Sequence, residues 1–393
     1  MGSKVIQAVT VSESLYFMKG QLKYLAACGY DIKAMSSNGS YVERFEKQEE
    51  TRVLLIEMER EISLLKDFKS LVKCIRIIRK EKPDIVNAST PKAGLIVTLA
   101  AYICRVPIRI YTLRGLRMET TNGLKRQILV AAEKVAAGAS THCLAVSDSL
   151  KSRIAEFGIA PIEKISVLGK GSGDGFNIAE FQKTAEVEET IKANRKEYGL
   201  TEEHVVLGFV GRMTKDKGIT ELIDSFLALH KTHPNLRLLL IGDYEMADPV
   251  EERIQKEIKE NPYIIHTGYQ GNPVPFYHMM DVFVFLTKRE GFGNVAIEAA
   301  LSKVPVIAAN VTGAKDTIVD GKTGFLADPE NPLDILEKLE LLILAPEIRR
   351  QMGEQGYKWA IENFSNQVMW KELDRYYQTC LADSLKPAGQ THI

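Results

Sequence analysis

Short apolar runs alternate with helical patterns along the chain, and this alternation constrains the fold more than any other feature of the sequence. The runs "VVLGFVG" and "DVFVFLT" are continuous in apolar residues, as is typical of strands buried on both faces of a parallel sheet. Stretches with helical periodicity, such as 14–28, 63–81, 92–104 and 122–138, fill most of the gaps. The pattern predicts α/β domains built on doubly wound parallel sheets.

Length and strand positions predict two Rossmann-like domains, because 393 residues exceed one ordinary domain. The strand candidates are "KVIQAVT", "DIKAMSS", "TRVLLIEM", "DIVNAS", "IRIYTLRG", "HCLAVS" and "KISVLG" in the first half, and "VVLGFVG", "LRLLLIG", "YIIHTG", "DVFVFLT", "VPVIAA" and "TGFLAD" in the second. The glycine-rich segment 169–177 marks the junction. We predict domains at 1–172 and 173–381 with an interdomain cleft, and a polar tail at 382–393. A helix at about 365–381 is a candidate to pack back on the first domain.

Composition and cysteine usage indicate a globular protein with reduced thiols. The hydrophobic share is 45% and the charged share 26%, both ordinary for globular proteins. The five cysteines are scattered and form no C-x-x-C pair, which argues against a disulfide framework. The first residues do not resemble a signal peptide, and the longest apolar run, 93–104, is shorter than the roughly 20 residues that a spanning helix needs. We therefore expect a cytoplasmic protein.

Charge is distributed unevenly between the two halves. Residues 1–170 contain 27 Lys and Arg against 17 Asp and Glu, a net charge of +10, and residues 171–393 carry −10. The helix predicted at 61–82 has apolar residues on one side and a basic stripe on the other, formed by Lys66, Lys69, Lys73, Arg76 and Lys80. The stripe predicts peripheral docking on an anionic membrane surface. Two plainer alternatives remain open, a solvated helix face and attraction between the two halves.

The segment "VGRMTKDKG" places two cations where a parallel sheet binds ligands. Ligands of doubly wound sheets bind at the carboxyl ends of the strands, and Arg212 follows such a strand. Lys217 lies near the start of the next helix. Two cations beside a helix N-terminus suit a diphosphate. The alternative, a solvated basic loop, remains open.

The segment "REGFGNVAIEAA" places two carboxylates on either side of a glycine pair. Because Gly291 and Gly293 lack Cβ atoms, backbone N–H groups before the helix that begins near Asn294 can approach a phosphate closely. Glu298, about one turn into that helix, suits a diol such as the ribose hydroxyls, and Glu290 suits a sugar at the other end of the ligand. The alternative is two surface glutamates that flank a turn.

The E-x7-E spacing of Glu290 and Glu298, preceded by the G-R…K motif, resembles the retaining glycosyltransferases of family 4, which have the GT-B fold. The segment "GFGNVAIEAALSKVPVIAANVTGAKDTIVDGKTGFL" is similar to the donor site of that family. In the first half, "STPKAGLIVTLAAYICRVPIRIYTLRGLR" resembles the branch that builds capsule, exopolysaccharide and O-antigen chains. The resemblance extends over almost the whole chain.

The resemblance implies a role for each motif residue. Arg212 and Lys217 would bind the donor diphosphate. Glu290 would contact the donor sugar and Glu298 the nucleotide ribose. Glu290, Arg212 and Lys217 are thereby the implied catalytic residues. The full set of implied donor-binding residues is Gly211, Arg212, Lys217, Glu290, Gly291, Phe292, Gly293, Asn294, Val295 and Glu298.

Two positions in the first half depart from the family pattern. Arg114 ends the strand "YTLRG", where many members have a histidine, and the first loop reads "VTVSES", where many have a glycine pair. Two interpretations of Arg114 remain open, contact with an acceptor phosphate and pairing with an acid. The candidates for the acceptor side are Ser12, Lys19, Lys92 and Arg114.

The resemblance also implies an activity and its partners. A sugar would pass, with retention of configuration, from a nucleotide sugar, expected to be a UDP sugar, to a polyprenyl-diphosphate-linked saccharide. The N-terminal domain would bind this acceptor and the C-terminal domain the donor. The leaving diphosphate would help to take the acceptor proton. We expect a protein at the inner face of the plasma membrane, peripheral on anionic lipid, with no nucleic acid partner.

No metal cofactor is expected, because cationic side chains and helix dipoles serve the diphosphate in that family. Asp243 and Glu245 form a D-x-E pattern, which is a weaker metal candidate. Two other functions remain open. An epimerase-like enzyme on the same fold would release UDP or free sugar without an acceptor. A non-catalytic protein would bind the nucleotide sugar only, although such a protein has less need of the whole set of charged residues.

Overall fold

The computed structural model describes residues 2–59, 63–172 and 174–385. Tertiary contacts divide the chain into two compact units. The first unit contains the chain up to Phe176 and from Asn366 onwards, and the second contains Asn177–Ser365. None of the helices in the described ranges is long and apolar enough to cross a membrane.

The first unit is built on a seven-stranded parallel sheet in the order β3-β2-β1-β4-β5-β6-β7. Its strands are β1 (Lys4–Ala8), β2 (Asp31–Ser36), β3 (Val53–Leu55), β4 (Ile85–Ser89), β5 (Ile108–Leu113), β6 (His142–Ala145) and β7 (Ile165–Val167). Its helices before the junction are α1 (Gln21–Ala27), α2 (Val42–Glu49), α3 (Leu64–Glu81), α4 (Pro91–Ile103), α5 (Gly123–Ala139) and α6 (Asp148–Glu156). The winding direction reverses between β1 and β4, which is the point where such sheets form a ligand crevice.

The second unit has a six-stranded parallel sheet in the order β10-β9-β8-β11-β12-β13. Its strands are β8 (Val205–Val210), β9 (Leu236–Ile241), β10 (Ile264–His266), β11 (Val282–Phe285), β12 (Val306–Ala309) and β13 (Gly324–Ala327). Its helices are α7 (Ala185–Glu197), α8 (Ile219–His230), α9 (Glu252–Glu260), α10 (Val274–Tyr277), α11 (Asn294–Leu301), α12 (Pro332–Leu344) and α13 (Pro346–Phe364). Here the winding reverses between β8 and β11.

Successive residues of the central strands belong to different core clusters. In β1, Val5 packs in one cluster and Ile6 in another, and in β8 Val206 and Leu207 are divided in the same way. Both sheet faces are therefore covered, which explains why these strands are apolar without alternation. The predicted fold class, two doubly wound Rossmann-like units of the GT-B type, is confirmed.

The last helix, α14 (Asn366–Ser384), belongs to the first unit, in agreement with the candidate helix at about 365–381, so the second unit ends before residue 381. Its Tyr377 is fully buried, and the hydroxyl accepts hydrogen bonds from the side-chain amides of Gln7 (3.0 Å) and Asn87 (2.9 Å). The first unit thus takes part of its core from the C-terminus, and its first segment ends at Phe176 rather than at 172. Of the predicted tail, 386–393 lies outside the described residues.

One local prediction for the first unit is wrong. The helix predicted at 14–28 is interrupted, because Gly20 adopts φ = 78° before α1 begins and a Cβ there would lie 2.5 Å from the ring of Trp370 in α14. Helix α3 does not bury all of its apolar residues: Leu65 is 81% and Phe68 is 65% exposed. It packs instead through a narrow face that includes Cys74.

Candidate functional site

Two loops of the second unit lie on either side of its topological switch point. The loop at 211–218 follows β8, and the loop at 287–293 follows β11. Because β8 and β11 are paired in parallel, both loops leave the sheet at its carboxyl edge. This edge is where doubly wound sheets bind ligands, and it holds most of the residues that the sequence motifs single out.

Backbone contacts hold the loop at 211–218 against its neighbours. The Gly211 N–H donates to the Ile241 carbonyl (2.9 Å), and the Met213 N–H donates to the Asp243 carbonyl (2.8 Å). At the end of the loop, Gly218 adopts φ = 72°, and a Cβ there would lie 2.0 Å from the Leu286 carbonyl oxygen. Glycine is therefore required where the chain turns into α8 directly after Lys217.

The structure brings together two of the three residues predicted to be catalytic. The Lys217 Nζ forms an ion pair with the Glu290 carboxylate, and both side chains are only 18% exposed. Arg212 is 65% exposed and forms an ion pair with Glu245 instead. Each predicted cation therefore forms an ion pair with a carboxylate.

The loop at 287–293 is shaped by packing against its own unit. The Glu290 N–H donates to the Thr312 carbonyl (3.0 Å), and the ring of Phe292 packs on Phe364 with centroids 5.3 Å apart. A Cβ on Gly293 would lie 2.4 Å from the ring of Phe285. This glycine is thus required by the aromatic core beneath the loop. Gly291 is buried, and Asn294 and Val295 are partly buried in the first turn of α11.

Glu298 lies in the second turn of α11, beside α10. Tyr277, which is fully buried, donates a hydrogen bond of 2.7 Å from its hydroxyl to Oε2 of Glu298. Burial raises the pKa of the Glu298 carboxyl above its ordinary value, while the Tyr277 hydrogen bond acts in the opposite direction. A half-buried carboxylate oriented in this way can accept hydrogen bonds from a diol.

The D-x-E residues are engaged within the protein. Asp243 Oδ1 accepts a hydrogen bond of 3.0 Å from the Tyr269 N–H, and Glu245 pairs with Arg212. Among the residues that the structure describes, no group of three or more His, Cys, Asp or Glu side chains is arranged to hold a metal ion.

Arg114, in the first unit, pairs with an acid. Its Nη2 lies 2.7 Å from Oδ1 of Asp174, its Nε donates to the Ser89 hydroxyl (3.3 Å), and its guanidinium carbon lies 4.4 Å from the ring centroid of Phe17. Arg114 also lines a small cavity of about 30 Å³, whose polar lining includes Gln7, Asn87 and Thr112. A cavity of this size holds about one or two water molecules.

The other acceptor-side candidates have different surroundings. The Lys92 Nζ is buried and lies 2.7 Å from both carboxylate oxygens of Asp67, so it joins α4 to α3. Ser12 is buried, and a Cβ on Gly39 would lie 2.0 Å from its hydroxyl oxygen. Lys19 is exposed, with its Nζ 5.9 Å from the ring centroid of Tyr16.

Several residues of these sites are not singled out by any sequence motif. Asp216 and Arg289 form an ion pair of 3.0 Å. Each directly precedes a predicted catalytic residue, and this adjacency is the sequence feature that could have identified them. Tyr277 is 21 positions from Glu298, and nothing in the sequence pattern links the two. Asp174 lies in the glycine-rich segment at 169–177, whose composition indicates only a junction.

Comparison with known proteins identifies families over both halves. The family described as "Glycosyl transferase 4-like domain" matches residues 17–171, and the family described as "Glycosyl transferases group 1" matches residues 190–359. A Staphylococcus aureus protein named capsular polysaccharide biosynthesis glycosyltransferase CapM is 42% identical over 381 residues, which cover 97% of this chain and 98% of that protein. An Escherichia coli protein named UDP-Gal:alpha-D-GlcNAc-diphosphoundecaprenol alpha-1,3-galactosyltransferase is 25% identical over 273 residues, 68% of each chain.

Solved structures agree in fold. Anabaena Alr3699/HepE, in complex with UDP and glucose, superposes with a TM-score of 0.78 at 18% identity, covering 96% of this chain and 100% of that one. A glycosyltransferase from Rickettsia africae superposes with a TM-score of 0.77 at 21% identity, covering 97% and 99%. Because the chain is 42% identical to CapM along nearly its whole length and has this fold, it belongs to the GT-B glycosyltransferases of family 4.

Proposed function

We propose that this glycosyltransferase transfers a sugar from a UDP sugar to a polyprenyl-diphosphate-linked saccharide, with retention of configuration, in capsular polysaccharide biosynthesis. The observation that carries the proposal is the Lys217–Glu290 pair at the switch point of the second unit, with Arg212 on the same loop. The name of the S. aureus relative supports the capsular role. The name of the E. coli relative supports both a UDP-sugar donor and a diphosphate-linked lipid acceptor.

Donor binding would exchange the ion pairs that Lys217 and Arg212 form. The diphosphate takes Lys217 from Glu290 and Arg212 from Glu245, because an oxyanion with two negative charges attracts both cations more strongly than one carboxylate each. Glu290 is then released to accept hydrogen bonds from the donor sugar. Glu298 accepts hydrogen bonds from the ribose hydroxyls.

The main role of the site would be to stabilise the negative charge that develops on the leaving diphosphate. As the bond between the anomeric carbon and the diphosphate oxygen breaks, Arg212 and Lys217 stabilise the negative charge that develops. The acceptor hydroxyl attacks on the face from which the diphosphate leaves, and its proton passes to a diphosphate oxygen. The sugar therefore keeps its configuration. We propose that no metal ion is required, since two cationic side chains supply the charge.

Acceptor binding would fall to the first unit, and α3 would dock that unit on anionic lipid at the inner face of the membrane. The basic stripe of α3 is exposed, and beside it Leu65 and Phe68 project into solvent, as in helices that insert a few apolar side chains between headgroups. Lys66 is engaged by Glu59, so the remaining four residues of the stripe carry most of the attraction. On the carboxyl edge of this unit, Arg114 is the candidate contact for the acceptor.

A nucleotide-sugar screen followed by a transfer assay tests the proposal. UDP sugars are expected to raise the melting temperature, because a ligand that binds only the folded state stabilises it. Transfer of labelled sugar to a polyprenyl-diphosphate saccharide should then require Arg212 and Lys217. The matched control is Arg253→Ala, which removes an exposed arginine that pairs with Asp224 in the same unit.

Three outcomes would contradict the proposal. UDP release that does not depend on an acceptor indicates an epimerase-like enzyme, and stabilisation without turnover indicates a binding protein. If the anomeric coupling constant of the product shows an inverted configuration, only the retention part of the proposal is refuted.

A further inference from the structure

Two ion pairs with opposite polarity link the loops at 211–218 and 287–293. Asp216 and Lys217 are adjacent on the first loop, and Arg289 and Glu290 are adjacent on the second. Asp216 pairs with Arg289 (Oδ2 to Nη2, 3.0 Å), and Lys217 pairs with Glu290. The side chains of Asp216 and Arg289 are 22% and 26% exposed, so water screens this pair less than it screens surface pairs.

Asp216 is also connected to its surroundings through its backbone. Its carbonyl accepts hydrogen bonds from the Lys288 N–H (2.9 Å) and from the Thr287 hydroxyl (3.3 Å). Its own N–H donates to Oδ2 of Asp248 (2.8 Å). Through Arg289, Thr287 and Lys288, Asp216 therefore joins the two loops at three points that do not involve Lys217 or Glu290. The hydrogen bond to Asp248 leads outside both loops.

We infer that Asp216 and Arg289 are positioning residues, which keep the two loops in register when the donor separates Lys217 from Glu290. The inference rests on the proposed function, because donor binding is what breaks the Lys217–Glu290 pair. Without a second ionic link between side chains, only the hydrogen bonds of Thr287 and Lys288 to the Asp216 carbonyl would join the two loops when the Lys217 cation and the Glu290 carboxylate face different parts of the donor. The Asp216–Arg289 pair supplies that link.

The pair also balances charge next to the diphosphate. Asp216 directly precedes Lys217, so an unpaired carboxylate at this position would repel the donor. Arg289 cancels that charge. Removing Arg289 alone is therefore more harmful to nucleotide binding than removing both charges.

A double-mutant cycle separates positioning from simple folding. We expect Asp216→Asn to bind UDP with nearly unchanged affinity but to lower kcat about tenfold, because the loops lose their register. We expect Arg289→Ala to lower kcat in the same way and, in addition, to lower UDP affinity about tenfold, because Asp216 is left unpaired. In the double variant, UDP affinity should return to within about threefold of wild type while kcat stays low. Arg289→Lys, which keeps the charge, should retain most of the UDP affinity.

The matched control is Lys288→Ala. The Lys288 side chain lies on the same loop and pairs with Glu221 (3.1 Å) at similar exposure, yet it does not link the loops at 211–218 and 287–293. UDP affinity is measured by calorimetry, kcat by sugar transfer and the folded state by melting temperature. Lys288→Ala should match wild type in both affinity and kcat.

The outcomes are distinguishable. If the effects on UDP affinity are additive, or if Arg289→Ala binds UDP as tightly as wild type, the inference is refuted and the proposed function stands. If Arg289→Ala fails to fold, Arg289→Lys and Asp216→Asn still test the inference. Equal losses of UDP affinity and of kcat in these two variants would show that the pair only stabilises the fold and would refute the positioning role. A wild-type protein that binds no nucleotide would refute the proposed function and the inference together.

Discussion

The ribose contact proposed for Glu298 gives the sharpest test of the donor site. Oε2 of Glu298 accepts a hydrogen bond of 2.7 Å from the Tyr277 hydroxyl, which orients the carboxylate. Hydrogen bonds from ribose hydroxyls to a carboxylate are charge-assisted and contribute about 1.5–3 kcal/mol. We therefore expect Glu298→Gln to weaken UDP binding roughly 10- to 150-fold.

The same contact makes UDP binding depend on pH in a defined direction. Burial raises the pKa of Glu298, and the Tyr277 hydrogen bond opposes this rise. Because the ribose contact needs the ionised carboxylate, affinity is full at pH values above the raised pKa and falls as the pH drops through it. Tyr277→Phe removes the opposing hydrogen bond, so the loss of affinity should begin at a higher pH. Glu298→Gln takes up no proton at this position and should lack this pH dependence.

Calorimetric titration with UDP and with 2′-deoxyuridine diphosphate, from about pH 5 to about pH 8, measures these effects. Wild type should prefer UDP, and Glu298→Gln should discriminate less. Tyr198→Phe, whose ring packs on Phe276 in the same unit with centroids 6.5 Å apart, is the matched control. The reasoning is refuted if Glu298→Gln binds UDP as tightly as wild type, or if Tyr277→Phe leaves the pH profile unchanged.

Three further predictions concern the diphosphate, the metal and the membrane. Arg212→Ala and Lys217→Ala should each lower the transfer rate roughly 30- to 1000-fold, which is about 2–4 kcal/mol of lost charge stabilisation, and near-wild-type turnover of the double variant would refute their role. Transfer should survive excess EDTA, and a loss of activity that Mn²⁺ or Mg²⁺ restores would show that a metal is required. Liposomes containing phosphatidylglycerol should sediment the protein at low salt but not at 1 M, where screening shortens to about 3 Å. The variant Lys66→Glu/Lys69→Glu/Lys73→Glu should lose at least about 2 kcal/mol of binding, mainly through Lys69 and Lys73 because Lys66 already pairs with Glu59. Unchanged binding would show that the α3 stripe is only a solvated face.

The sequence alone determined the fold class and the location of the donor motifs. Strand positions follow from local composition, because a strand covered on both faces must be apolar at every residue, as β8 and β11 are. The motif residues follow strands, and parallel strands deliver them to one edge of the sheet. Arg212, Lys217, Glu290 and Glu298 could therefore be selected without coordinates, although their roles remain predictions.

Only the tertiary structure decided which charged residues meet. Lys217 and Glu290 are separated by 73 positions, and they pair because β8 lies beside β11. The sequence also does not reveal that Lys92 pairs with Asp67. Nor does it reveal that the predicted helix at 14–28 is interrupted at Gly20, where the ring of Trp370 occupies the space that a Cβ would need. Each of these outcomes depends on strand order and on the packing of distant helices. Periodicity and spacing depend only on the local environment of a residue. They therefore do not identify a partner that the fold brings near from a distant part of the chain.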